Sequence, residues 1–161
     1  MEQRTAADLF KRHHLALFRY VYHHTHQRDI AEDIVQDVFV RVVRSLETYR
    51  ESGREAAWLF TIARRLLMDR ERARSRHPTD SLPAREPHTE GSQETSAALA
   101  EALACVPEAD REAFLLREIG GLSYVEIAAV CDATADSVRS RIYRARMRLR
   151  TALSAPMKVA P

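Results

Sequence analysis

From residue 135 to the C-terminus, Arg139, Arg141, Arg144, Arg146, Arg148, Arg150 and Lys158 face a single acid, Asp136. The planar arginine fork donates to two acceptors at once, so it suits both phosphate oxygens and the paired acceptors on the major-groove edge of guanine. The preceding stretch, 98–134, has the opposite sign, with Glu101, Glu108, Asp110, Glu112, Glu118, Glu126 and Asp132 against Arg111 and Arg117. A formal net charge of +2 hides this division. A basic face confined to one helix is the electrostatic footprint of a nucleic-acid binder.

The other reactive residue types point to less. His23, His24 and His26, with His13 and His14 earlier, could ligate a metal or sense pH, but no cysteine or supporting carboxylate stands at ligand spacing nearby. They read as an exposed helix end. Cys105 and Cys131 form neither a zinc-type pair nor a disulfide ladder, and read as small buried apolar groups in a reducing compartment. Gly53, Gly91, Gly120 and Gly121 make no phosphate-cradling loop, and no nucleophile sits at a strained turn. The expectation is a protein that is not an enzyme and needs no metal or cofactor. No apolar run approaches the length of a membrane span, and Glu2, Arg4, Asp8 and Lys11 leave no apolar signal-peptide core, so a cytoplasmic protein is expected.

The elements that must carry these residues are helical throughout. Pro78, Pro83, Pro87 and Gly91, set among Ser, Thr and charged residues, predict a flexible linker over 77–97. It separates a first domain, 1–76, from a second, 98–154, which is followed by a tail, 155–161. In the first domain Phe10, Leu17 and Val21 share one helix face. Ile34, Val35, Val38, Phe39, Val42, Val43 and Leu46 follow the three-four spacing of a second helix. Asp29 with Glu32 has the spacing of a capping box, which starts that helix near Asp29. After a loop from Tyr49 to Glu55, Trp58, Leu59, Ile62, Ala63, Leu66 and Leu67 mark a third helix. Trp58 reads as core, within one turn of Leu59 and Ile62.

In the second domain Leu99 and Leu103 open a helix, Pro107 starts the next with Phe114, Leu115 and Ile119 inward, and Gly120 and Gly121 end it. Ser123 and Glu126 form a capping box for a short helix with Ile127, Ala128 and Val130 inward, and Asp132 makes the left-handed turn. Thr134 caps a last helix whose inner stripe is Val138, Ile142, Ala145, Leu149 and Ala152. Two short helices joined by a turn, the second long and basic, describe a helix-turn-helix. Opposite the stripe lie Ser140, Tyr143 and Arg144, with Arg139 on the flank. Arg139 and Arg144 are assigned to bases; Arg141, Arg146, Arg148 and Arg150, lateral or beyond the groove-entering half, are assigned to phosphates or a partner.

Four segments together resemble the extracytoplasmic-function class of bacterial sigma factors. Asp29-Ile-Ala-Glu-Asp-Ile-Val-Gln-Asp-Val-Phe39 resembles the core of that family's region two, and Ala57-Trp-Leu-Phe-Thr-Ile-Ala-Arg64, followed by Asp69, resembles its next helix. Leu122-Ser-Tyr-Val-Glu-Ile-Ala128 and Ser137-Val-Arg-Ser-Arg-Ile-Tyr-Arg-Ala-Arg146 resemble the region-four helix-turn-helix. The resemblance spans almost the whole chain and implies an all-α fold of two small helical domains.

It implies that Asp33, Gln36, Asp37, Phe39, Val40 and Arg41 dock on the clamp helices of the largest subunit of core RNA polymerase, and that the flap of the second-largest subunit is a further contact. It implies that the loop with Tyr49, Arg50 and Arg54, and the helix with Arg64, Arg65 and Arg72, hold the non-template strand of a −10 element. Keeping a base unstacked costs about a few kcal/mol, which binding must supply. Arg139, Ser140, Tyr143 and Arg144, with Arg141 and Ser137, would read the −35 element of promoter DNA. An anti-sigma factor is the further partner implied. The chain departs from the family at Arg65, where asparagine is usual, at Cys131-Asp132-Ala133, where a leucine-glycine-apolar turn is usual, and at Asp136, often glycine. Two other readings are a helix-turn-helix regulator that is not a polymerase subunit, which leaves the first domain unexplained, and a helical metal-dependent enzyme.

Overall fold

The computed structural model describes residues 5–49, 53–77 and 93–154, with side chains from residue 97 in the last stretch. Arg50, the 78–92 part of the expected linker and the tail from 155 lie outside them. The described residues form seven α-helices and no strand: α1 Ala6–Thr25, α2 Arg28–Ser45, α3 Glu55–Arg76, α4 Gln93–Ala104, α5 Glu108–Glu118, α6 Tyr124–Cys131 and α7 Ala135–Ser154. Helix α4 thus begins inside the stretch read as linker, where residues 93–98 hold neither proline nor glycine to stop it.

Helices α1, α2 and α3 pack against one another, and α4, α5 and α6 gather around α7. Leu9, Leu17, Tyr20 and Val21 of α1 meet Ile34, Val35, Val38, Phe39 and Val42 of α2 and Leu59, Phe60 and Ala63 of α3 in the first core. Phe10, expected inside, is 45% exposed; Leu9 takes the inner position, while the Phe10 ring stacks on His14 and lies edge-on to Phe39. Val43, also expected inside, is 63% exposed. In the second unit the α7 stripe Val138, Ile142, Ala145 and Leu149 is buried, while Ala152 is exposed in the last turn.

The helix ends explain most boundaries. Thr5 and Asp8 form a capping box at α1: the Asp8 N–H donates to Thr5 Oγ1 at 3.2 Å and the Thr5 N–H to the Asp8 carboxylate at 3.1 Å. Ser123 and Glu126 do the same at α6, and the Ser137 N–H donates to Thr134 Oγ1 at 3.1 Å at the start of α7. Asp132 takes the left-handed conformation, φ 52°, that turns α6 into α7. The expected Asp29–Glu32 box is absent. His26, at φ 56°, ends α1 in the left-handed region and leaves only Gln27 before α2 starts, so Asp29 falls inside the first turn, where it complements the helix dipole instead.

The two units also touch. The Tyr20 hydroxyl donates to Glu112 Oε1 at 3.1 Å, Arg64 Nε donates to the same oxygen at 2.7 Å, and Arg64 Nη1 reaches the Val130 carbonyl at 3.4 Å. Gly120 lies against α3, where an added Cβ would stand 2.7 Å from the Leu116 carbonyl oxygen and 3.3 Å from the Phe60 ring. Burying Phe60 fully stabilises this region by about 1.5–3 kcal/mol, and its ring meets the equally buried Tyr20 edge to face at 5.3 Å.

Candidate nucleic-acid and polymerase interfaces

Helix α7 turns its buried stripe toward α4, α5 and α6 and presents Arg139, Ser140, Tyr143 and Arg144 to solvent, with Tyr143 65% exposed. Ser137 and Arg141 are half-buried on the margins. The Arg139 guanidinium sits over the Tyr124 ring at 5.7 Å, with Arg117 over the same ring at 5.1 Å. Tyr124, at the first position of α6, therefore carries an arginine of the exposed α7 face, a role that helical periodicity does not announce. Arg117 Nη1 also donates to the Leu122 carbonyl at 2.8 Å, bracing the connection between α5 and α6.

Arg144 differs from its neighbours. Nε donates to Asp110 Oδ2 at 3.0 Å and Nη2 to Oδ1 at 2.9 Å, while the Asp110 side chain is 7% exposed and that of Arg144 is 54% exposed. The paired carboxylate raises the arginine's pKa above its usual value, so it stays charged. Arg146 meets Glu118 at 3.1 Å on the surface, and Arg148 and Arg150 are exposed farther along the helix.

The residues expected to meet a −10 strand are dispersed. Tyr49 stacks on Trp58 with ring centroids 4.2 Å apart, which makes the half-buried Trp58 a platform for the loop as well as a part of the packing. Arg54 and Arg65 are exposed, and Arg72 is held by Asp69 at 2.6 Å. Arg64 faces the other unit. Burial works against its charge, but the hydrogen bond and charge of Glu112 outweigh that and raise its pKa. Burial first, and the Glu112 carboxylate second, push the Tyr20 hydroxyl well above its ordinary range.

On α2, Asp33, Gln36, Asp37, Val40 and Arg41 are exposed along one side, joined by Val43 and Arg44. Phe39, placed with them by the family resemblance, is instead buried against Phe10, because its position on the helix falls on the inward stripe with Val35 and Val42.

The histidines are dispersed as well. His13 Nε2 lies 2.9 Å from Glu55, His14 Nδ1 lies 2.7 Å from the Phe10 carbonyl, and the half-buried His24 lies edge-on to Tyr20. No group of three or more His, Cys, Asp or Glu converges on a common point among the described residues. Burial pushes the Cys131 thiol up to about 11, whereas Cys105, expected inside, is exposed. A cavity of about 920 Å³ lies at the seam between α1, α3 and α5, lined among others by His24, Arg64, Arg70, Arg111 and Glu112. No helix is long and apolar enough among the described residues to cross a membrane.

Residues 9–77 match the sigma-70 region 2 family and residues 96–149 match sigma-70 region 4. The chain is 35% identical over 157 residues to the ECF RNA polymerase sigma factor SigE of Mycolicibacterium smegmatis, covering 91% of this chain but 61% of that relative's length. It is 33% identical over 131 residues to the ECF RNA polymerase sigma-E factor of Escherichia coli K12, covering 71% of this chain and 69% of that one. Among solved structures, the sigma factor RpoE from Bartonella quintana, crystallised with the anti-sigma factor NepR, superposes with a TM-score of 0.77 at 28% identity over 91% of this chain and 97% of that one. CnrH, solved with the cytosolic domain of CnrY, gives 0.70 at 28% identity over 96% and 90%. The two matched regions lie in the order, and on the helices, that carry the exposed α2 side and the exposed basic face of α7, and the chain belongs to the ECF class of RNA polymerase sigma factors.

Proposed function

We propose that this chain, acting in the cytoplasm, carries core RNA polymerase to promoters and starts transcription there. The exposed side of α2, with Asp33, Gln36, Asp37, Val40 and Arg41, docks on the clamp helices of the largest subunit, and the α4–α7 unit meets the flap of the second-largest. The N-terminal half of α7 enters the major groove of a −35 element. There Arg139 and Arg144 contact base edges, and Ser140, Tyr143, Ser137 and Arg141 complete the surface. Tyr49, Arg50, Arg54, Arg65, Arg72 and Arg64 hold the −10 strand. The single observation that carries this reading is the α7 face itself: a basic helix of a capped helix-turn-helix, in one chain with a region 2 unit that a simple DNA-binding regulator has no use for.

Regulation by an anti-sigma partner accompanies the proposal, since the similar RpoE was solved with the anti-sigma factor NepR. The test is in vitro transcription: core polymerase alone, then with this chain, over a pool of promoter fragments, without ATP hydrolysis to drive melting. The chain is expected to add discrete start sites. A chain that binds DNA fragments yet adds no start site is a helix-turn-helix regulator instead.

A further inference from the structure

The bidentate contact between Arg144 and Asp110 occupies a particular edge of the guanidinium. Nε and Nη2 form its side edge, and both point at the Asp110 carboxylate. The group is planar, so the end edge, formed by Nη1 and the second hydrogen of Nη2, points elsewhere with two parallel N–H bonds. Those two bonds match the O6 and N7 acceptors of guanine.

The asymmetry of burial matters here. Asp110 is the buried member, fixed near the start of α5, which packs on α7; Arg144 is the exposed member, on the face that carries Ser140 and Tyr143. A surface ion pair would hold neither partner firmly. A carboxylate locked in the packing and gripping two nitrogens holds the plane of an exposed arginine still.

We infer that Asp110 is a positioning residue for −35 recognition, holding Arg144 by its side edge so that its end edge meets a guanine already oriented. This rests on the reading of α7 as the −35 helix. Arg139 has no such clamp, resting over the Tyr124 ring with the exposed Asp136 carboxylate 4.0 Å away, whereas Arg144, gripped at two nitrogens, then loses little freedom on binding. Immobilising a long side chain costs enough to change affinity by about 2- to 12-fold, and that penalty is removed in advance.

The experiment uses the full chain with core polymerase and a promoter library randomised through the −35 element, reading transcript yield against the base at each position. Arg144→Ala is expected to flatten the preference at one position, losing about 5- to 150-fold of discrimination, the value of a good bidentate contact. Asp110→Asn keeps the shape of the buried side chain but gives up its charge and one acceptor. It is expected to reduce the preference at that same position by about 2- to 12-fold and to leave the other positions as they were. Asp110→Ala should act at the same position, and neither Asp110 variant should add anything on the Arg144→Ala background.

A profile unchanged in Asp110→Asn and Asp110→Ala, or lowered evenly at every position, overturns the positioning role while the reading of α7 stands. A flat response to Arg144→Ala removes the −35 contact itself, and the proposal with it.

Discussion

Half-buried His24 should couple the stability of this fold to pH. Burial chiefly, against the opposing pull of the Glu112 carboxylate and with smaller help from Arg111, His26 and Arg64, lowers its pKa to about 4 from an ordinary 6.5. Its Nε2 is buried without a hydrogen-bond partner. The unfolded chain therefore binds a proton that the folded chain refuses between those two values, so stability is intact above pH 6.5 and falls as pH drops toward 4. The full effect is on the order of 3 kcal/mol. Urea unfolding of the wild type should show that loss between pH 6.5 and 4, and His24→Leu should flatten it; an unchanged slope places His24 in solvent. On α7 the contrast is between reading and holding. Arg150→Ala should weaken binding to all sequences alike and reduce the slope of log affinity against log salt by about 0.9, the share of one phosphate contact. A base-selective change in titrations at several salt concentrations contradicts that assignment.

At the scale of elements, capping divides what was legible in the residues from what was not. Ser123 and Glu126 face each other across one turn and both bonds form, so α6 starts where local chemistry says it should. Asp29 and Glu32 have the same spacing and make no box, because the entry to α2 is set by His26 in the left-handed region, which leaves Gln27 at the cap position. Ser123→Ala should cost about 1 kcal/mol, read as a lower urea midpoint for the full chain, and no change would mean that packing alone holds α6. The α7 stripe was legible because alternating steps of three and four residues decide which side is buried. Asp110 was not. In the sequence it is one acid among the seven of 98–134, and only the packing of α5 on α7 brings Arg144 to it.

At the scale of the molecule, two helical units and their order follow from a proline-rich interruption and from two sets of helical spacing. Their contact with one another does not, since Glu112 gathers Tyr20 and Arg64 from positions 92 and 48 residues away. Arg64 lies in that seam, its side chain only 23% exposed and bonded to Glu112 and the Val130 carbonyl, so the −10 role proposed for it requires the units to part. Gly120→Leu, which has no room beside Phe60 and the Leu116 carbonyl, should open that seam and raise the radius of gyration in solution scattering; an unchanged radius would show a seam that absorbs the side chain. The most direct test of the whole account is size-exclusion chromatography of the folded chain, helical by circular dichroism, mixed with core RNA polymerase. The account predicts a stable one-to-one complex that Asp37→Arg weakens on the exposed side of α2. A chain that is folded yet elutes apart from core polymerase at micromolar concentration would contradict it.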